Sequence, residues 1–246
     1  MRALLQKNFI LLSLAVAACA PAPSAPKSGG APFSIPDRQP GALTADQEAA
    51  ARAYAERLAV ARANPAGMDW PALRAAYAAS PYYNPAVGNG LEMQPVIAAM
   101  RQSNWIQAAA LAEAAVARNW MDLPAHFHAS IAYGNLGDTA ASARHKAVVD
   151  AFVRDLLANG HNGRSTATAY QVLAIAEEYL VLGLGHAQRQ QQSLITVDGH
   201  SYDVLDFTRV NPPGGGQMFF AVDTMFAREG QIAMGAALIT EDQGAK

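Results

Sequence analysis

Cysteine is nearly absent from this 246-residue chain, which has one, Cys19. A single thiol excludes an intramolecular disulfide framework and any all-cysteine zinc site. Charge is scarce as well. Charged residues make up 15% and the formal net charge is −2, so no electrostatic default points to nucleic acid. No apolar run reaches the roughly 18 residues that a spanning helix needs. The usual catalytic strings are missing too: there is no Gly-x-x-x-x-Gly-Lys, no His-Glu-x-x-His and no Gly-x-Ser-x-Gly. Gly183-Leu184-Gly185 opens a dinucleotide fingerprint, but Gln188 stands where its third glycine belongs. Ser24 and Lys27 match Ser-x-x-Lys only as letters, in a segment that cannot hold them in register. His126 and His128, at i and i+2 on a helix, diverge by about 200° and cannot chelate one ion. The sequence implies no metal and no cofactor.

What is present begins at the N-terminus, MRALLQKNFILLSLAVAAC. Arg2 and Lys7 form a positive region, and residues 9–18 are an apolar run. As a helix that run covers roughly 15 Å, half of a bilayer core of about 30 Å. It reads as a signal-peptide core and not as a transmembrane anchor. Val16-Ala17-Ala18-Cys19 resembles the bacterial lipobox. The resemblance implies diacylglyceryl transfer to Cys19, cleavage before it and N-acylation of the new amino terminus. The alternative is an ordinary signal peptide cut at an Ala-x-Ala site. Three acyl chains exceed the two signals that stable anchoring needs. The expectation is a lipid-anchored protein of the bacterial cell envelope, facing the periplasm. Ala20 lacks the aspartate associated with inner-membrane retention in some bacteria, so the outer membrane is favoured.

Residues 19–41 are rich in Pro, Ala, Ser and Gly. They cannot bury enough apolar surface to offset ordering entropy, and read as a disordered tether with a reach of roughly 25 Å or more. A helical region is expected over 42–158. Thr44-x-x-Gln47 fits a capping box. Asp69-Trp70-Pro71 restarts a helix after Asn64-Pro65-Ala66-Gly67. Trp70, Tyr77, Tyr82 and Tyr83 form an aromatic group that either lines a groove or joins the first helices to the next ones. Four helices are expected near 92–102, 105–118, 124–136 and 140–158. Asn104-Trp105 and Asp138-Thr139 occupy similar junctions 34 residues apart. That spacing resembles the tetratricopeptide (TPR) period, with Ala132-Tyr133 and Gly137-Asp138 at the repeat's small-aromatic pair and inter-helix turn. Trp105, Ala132, Tyr133, Gly137 and Asp138 are the packing residues this implies, within a region of TPR-like helical hairpins over residues 89–156. A generic pair of helical hairpins is the alternative.

Residues 159–228 change in composition. Tyr170, Val172, Leu173 and Ile175 favour a strand. Residues 177–182 suggest a short helix. Residues 193–197, Asp198-Gly199 and 200–210 read as a hairpin with a type I′ turn. Asn211-Pro212-Pro213 and three glycines then lead into a strand over 217–222. The predicted fold class is α+β: helical hairpins followed by a small antiparallel sheet. Residues 229–246 are read as a C-terminal tail.

Six short motifs follow one another over about sixty residues: Gly163-Arg164-Ser165, Thr168-Ala169-Tyr170, Glu177-Glu178-Tyr179, Gln192-Ser193-Leu194-Ile195, Tyr202-Asp203-Val204-Leu205 and Phe219-Phe220. In this order they resemble bacterial secreted proteins classed as domain of unknown function 4919, and the resemblance extends back to about residue 68. It implies a helical N-terminal part but transfers no catalytic residue. Ser165, Tyr170, Glu177, Glu178, Tyr179, Ser193, Tyr202 and Asp203 are the polar and aromatic positions it singles out.

Functionally, a structural lipoprotein whose sheet edge pairs with another chain is one reading, and two further classes stand open. One is a non-enzymatic protein- or peptide-binding role on the helical surface. The other is an envelope hydrolase using Glu177 or Glu178 with a histidine such as His161 or His200. The only further partner expected is the membrane, through the acyl chains.

Overall fold

The computed structural model describes residues 43–88 and 90–230. The lipobox residues Val16, Ala17, Ala18 and Cys19, the tether up to residue 42 and the residues beyond 230 lie outside these. Among the described residues, no helix is long and apolar enough to cross a membrane.

Helix α1 (Ala45–Ala63) starts at Thr44, whose hydroxyl accepts from the Gln47 N–H while the Gln47 side chain accepts from the Thr44 N–H. This reciprocal cap satisfies two otherwise orphaned donors. Helix α2 (Trp70–Ala79) is capped by Asp69 and opened by Pro71. Four helices then follow with short connections: α3 (Gly90–Arg101), α4 (Trp105–Arg118), α5 (Leu123–Leu136) and α6 (Thr139–Leu156). Asn104, Asp122 and Asp138 each cap the helix that follows by accepting from its third-position N–H. Gly137, at φ 79°, closes α5 in the left-handed conformation, which costs glycine no steric penalty. Small side chains bring neighbours together: Ala108, Ala109 and Ala112 of α4 and Ala125, Ala129 and Ala132 of α5 are all buried.

The second layer is a four-stranded sheet in the order β1 (Tyr170–Gln171), β4 (Gly214–Ala221), β3 (His200–Arg209), β2 (Ala187–Val197). The class is α+β, as predicted, but the sheet is mixed. Strands β2, β3 and β4 form an antiparallel meander, whereas β1 pairs in parallel with β4. The strand expected over Tyr170 to Ile175 lasts only two residues. The chain turns because the Glu177 carboxylate accepts the Leu173 N–H, and Ile175 opens helix α7 (Ile175–Leu184). A tertiary hydrogen bond there overrides β propensity.

Strand β2 starts at Ala187, six residues ahead of the predicted Ser193. The glutamines in its first half carry little strand propensity, and pairing with β3 holds them extended. Gly214 to Gly216, expected in a turn, already belong to β4. Residues 223–230 are helical, where the sequence reading assigned no helix. This helix, α8, returns to the helical layer. Arg228 donates to the carbonyls of Ser80, Pro81 and Tyr83.

One core runs through both layers. Trp70 lies 6.3 Å from Trp120 and 6.5 Å from Phe152 between ring centroids, and Tyr77 packs edge-on against Tyr83 at 5.3 Å. The Tyr83 hydroxyl donates to the Leu173 carbonyl. The aromatic group therefore joins the first helices to the rest of the core, and Tyr82 is the member left partly buried.

Candidate functional site

Three features could carry function: a buried ionic group, a buried polar chain and an apolar cavity. The ionic group centres on Arg74 of α2. Its Nη1 lies 3.1 Å from both Glu177 carboxylate oxygens, its Nε lies 3.3 Å from Asp155, and its Nη2 donates to the Gln171 carbonyl. Glu177 is buried, and burial raises its carboxyl while Arg74 and the Leu173 N–H oppose that rise. All three guanidinium nitrogens of Arg74 and both Glu177 oxygens are engaged within the protein, as a buried charge requires. The arrangement ties α2, α6 and the start of α7 together.

Glu178, the next residue, faces the other way. It is fully buried, and neither carboxyl oxygen makes a well-formed hydrogen bond among the described residues. Burial, with the negative charges of Asp203 and Glu177, pushes its pKa up to about 9. At neutral pH it is therefore a neutral acid. Asp203 of β3 accepts from the Gln192 amide, whose own oxygen accepts from the Tyr179 hydroxyl and from Arg189. Glu178, Tyr179 and Asp203 thus meet where α7 packs on the sheet, while Glu177 is turned to Arg74. Tyr202 lies opposite Ile195 and Ala221. Ser193 is exposed on β2 opposite Val204.

Ser165 and Tyr170 belong to a separate corner. The Ser165 and Thr168 hydroxyls are 3.0 Å apart, and Tyr170 is fully buried near Phe220. Gly163, at φ +66°, lies so close that a Cβ there would sit 2.5 Å from the Tyr170 ring.

The polar chain escaped the sequence reading. His126 of α5 has Nε2 3.0 Å from the Trp120 carbonyl and Nδ1 3.0 Å from Nδ1 of His145 on α6. Nε2 of His145 is 3.0 Å from a Glu113 oxygen, which also accepts from the Tyr133 hydroxyl. A carbonyl only accepts, so His126 carries its proton on Nε2 and accepts at Nδ1. His145 joins the His126 ring to the Glu113 carboxylate. Burial, then the charge of His145, lowers His126 to about 3. Burial alone would raise Glu113, but the hydrogen bond and charge of His145 outweigh it and lower the carboxyl. Tyr133, one of the predicted packing residues, stacks on the His145 ring at 5.7 Å and stitches α4, α5 and α6 together. Ala132 beside it is buried, whereas Trp105 is only half-buried at the start of α4. The sequence signal was faint: His145 falls on the apolar stripe of its helix, a position that demands a partner.

The cavity has a volume of about 400 Å³. Helices α3, α5 and α7 wall it with Met93, Ile97, Phe127, His128, Ala176 and Leu180, and Pro85 to Gly88 rim it. Ile175 and Tyr179, both more than 40% exposed, stand at its mouth. Nδ1 of His128 is buried without a partner among the described residues, and burial lowers the pKa of its ring. His126 and His128 thus serve different surroundings, one in the polar chain and one in the cavity wall. Neither Glu177 nor Glu178 lines this cavity. His200 pairs with Asp223 at 2.7 Å on the surface. Among the described residues, no group of three His, Cys, Asp or Glu side chains could hold a metal ion.

The family model of domain of unknown function 4919 (DUF4919) matches residues 68–230. This chain belongs to that family. The match begins just before α2 and ends with α8, so all the features above lie within the DUF4919 region, and α1 precedes it. No curated protein and no solved structure matches the chain.

Proposed function

We propose that this DUF4919 protein is lipid-anchored in the bacterial cell envelope and binds a protein or peptide partner without transforming it chemically. The observation that carries the binding reading is the apolar cavity between α3, α5 and α7, with Ile175 and Tyr179 exposed at its mouth. Pockets that take ligands are concave and mostly apolar, with a few polar groups that orient the guest. His128 and Tyr179 are such groups here. Helices α3 and α5 open the two hairpins. In a TPR-like reading they are the inner helices, whose concave face receives a partner's segment. This reading of the hairpins rests on fold analogy. Helix α7 covers part of that face and narrows the opening to a site for one or two apolar side chains.

The anchor reading rests on Cys19 following an apolar run and a lipobox-like triplet. Cys19→Ser is expected to abolish acyl labelling and to release the protein from the membrane fraction. Retention of the variant in that fraction overturns the anchor reading. A photoreactive residue in place of Phe127 is expected to capture a partner in the intact envelope. Recovery of the unreacted chain alone across growth conditions overturns the binding reading.

A further inference from the structure

Helix α8 carries the chain back to the rim of the cavity. Nε of Arg228 donates to the Tyr83 carbonyl at 3.1 Å, Nη2 donates to the carbonyls of Ser80 and Pro81, and the guanidinium lies 5.8 Å from the centre of the Tyr83 ring. Two residues after Tyr83, Pro85 begins the rim that runs to Gly88. The length of the Arg228 side chain and of this stretch bounds the gap from Gly230 to Pro85 at about 24 Å, which about seven extended residues span at 3.3–3.6 Å each. A chain leaving Gly230 therefore reaches the rim by Leu238 even at that limit.

The residues that follow Gly230 suit such a place. They lie outside the described residues, but their sequence over 231–239 is Gln-Ile-Ala-Met-Gly-Ala-Ala-Leu-Ile, without a charge, before Thr240, Glu241 and Asp242. Among the described residues, no Asp, Glu, Lys or Arg lines the cavity, and Met93, Ile97, Phe127 and Leu180 present apolar surface that gains from being covered. The mouth beside Ile175 and Tyr179 takes one or two apolar side chains, and Leu238 and Ile239 are such a pair at the distance required. A segment on a short connection acts at an effective concentration of roughly millimolar order. The same segment of a second copy, or an unattached peptide of like composition, lacks that advantage.

We propose that residues 231–239 of this chain seat in the cavity between α3, α5 and α7, with Leu238 and Ile239 as the anchoring side chains. Arg228 directs them there, because its three carbonyl contacts fix the end of α8 against residues 80–83. Glu241 and Asp242 follow the anchors and stay in water, where an unpaired carboxylate costs nothing. The occupancy stands on the cavity and on the reach of the chain. Its consequence rests on the binding reading above: a partner has to displace the segment, and its apparent affinity falls by the fraction of chains whose cavity is open.

Photocrosslinking in the purified full-length chain tests this. A photoreactive residue in place of Phe127 is expected to join, within one chain, to the tryptic peptide 229–246, with a yield independent of protein concentration. The reciprocal placement at Leu238, which leaves the core untouched, should join to peptides from α3, α5 or α7. Leu238→Asp/Ile239→Asp should cut the yield from position 127 at least about tenfold, because unpaired carboxylates are costly in an apolar site. Glu241→Ala/Asp242→Ala should leave it unchanged. The proposal is overturned by the absence of these products from both positions, by an equal yield in the Leu238→Asp/Ile239→Asp chain, or by a yield that rises with protein concentration. A partner captured in the envelope by a chain that gives no internal product also overturns it and leaves the binding reading standing. The internal product without any captured partner supports it and strikes the binding reading instead.

Discussion

Replacing Glu178 with glutamine should change the pH dependence of stability more than stability itself. Glu178 is fully buried where α7 crosses the sheet, with Asp203 and Glu177 as the neighbouring charges. Burial beside these charges pushes its pKa up to about 9 in the folded protein, against the ordinary carboxyl value of 4.5. Between those two values the folded state holds a proton that the unfolded state has released. Stability from this group is then greatest below about pH 4.5 and falls as pH rises toward 9. The slope approaches about 1.4 kcal/mol per pH unit, so at pH 7.5 the penalty is at most about 4 kcal/mol. Glutamine has nearly the same shape and does not titrate. Its amide sits in the same poorly partnered surroundings as the neutral carboxyl and adds an offset that does not vary with pH. Urea unfolding of both proteins at pH 5.5, 6.5, 7.5 and 8.5 separates the two effects. The variant should gain about 2–3 kcal/mol on wild type between pH 5.5 and pH 7.5. Parallel stability curves, or a variant that loses ground as pH rises, refute the reasoning.

Other parts of the structure give further expectations. Arg74→Met leaves Glu177 buried beside no cation and should cost about 3–5 kcal/mol in urea unfolding, with Arg74→Met/Glu177→Gln recovering part of the loss. Gly163→Ala places a Cβ against the Tyr170 ring at positive φ and should lower stability by about 2–4 kcal/mol, visible as a fall in Tm. His126 is held neutral to about pH 3 against the ordinary imidazole value of 6.5, so its contribution is full above pH 6.5 and is lost as pH falls toward 3. The stability difference between wild type and His126→Asn should therefore shrink on acidification, by up to about 1.4 kcal/mol per pH unit.

Local signals made the helices readable. The Thr44 capping box, the Asp69-Trp70-Pro71 start and the Asn104 and Asp138 caps each act within one turn, and the structure places a helix start at every one. The Asp198-Gly199 turn was legible for the same reason, with both residues at positive φ between β2 and β3. What failed depended on distant partners. Strand β1 stops after Gln171 because Glu177 takes the Leu173 N–H, and its parallel pairing with β4 has no local signature. The first half of β2 is extended only because β3 lies beside it. Residues 223–230 begin with no motif the sequence reading used, and Arg228 finds its carbonyls some 145 positions earlier in the chain.

The candidate site divides in the same way. Glu177-Glu178-Tyr179 is legible as one of the six motifs, but the opposite environments of its two carboxyls are not. Only the fold shows Arg74 on one side and Asp203 on the other. The chain from His126 to Tyr133 joins three helices and is invisible along any one of them. The cavity needs α7 laid across α3 and α5, a placement no single segment encodes.

Gly183→Leu offers the most direct test of the binding claim. Gly183 lines the cavity, and a Cβ there would meet nothing within 4 Å. Leucine in place of a helical glycine should stabilise α7 by up to about 1 kcal/mol while filling space at the cavity mouth. With the photoreactive residue at position 127 in both proteins, partner capture in the intact envelope is the measurement. The account predicts capture by the otherwise wild-type chain and its loss in the Gly183→Leu chain, with the Tm unchanged or raised. Equal capture by both folded proteins would contradict it.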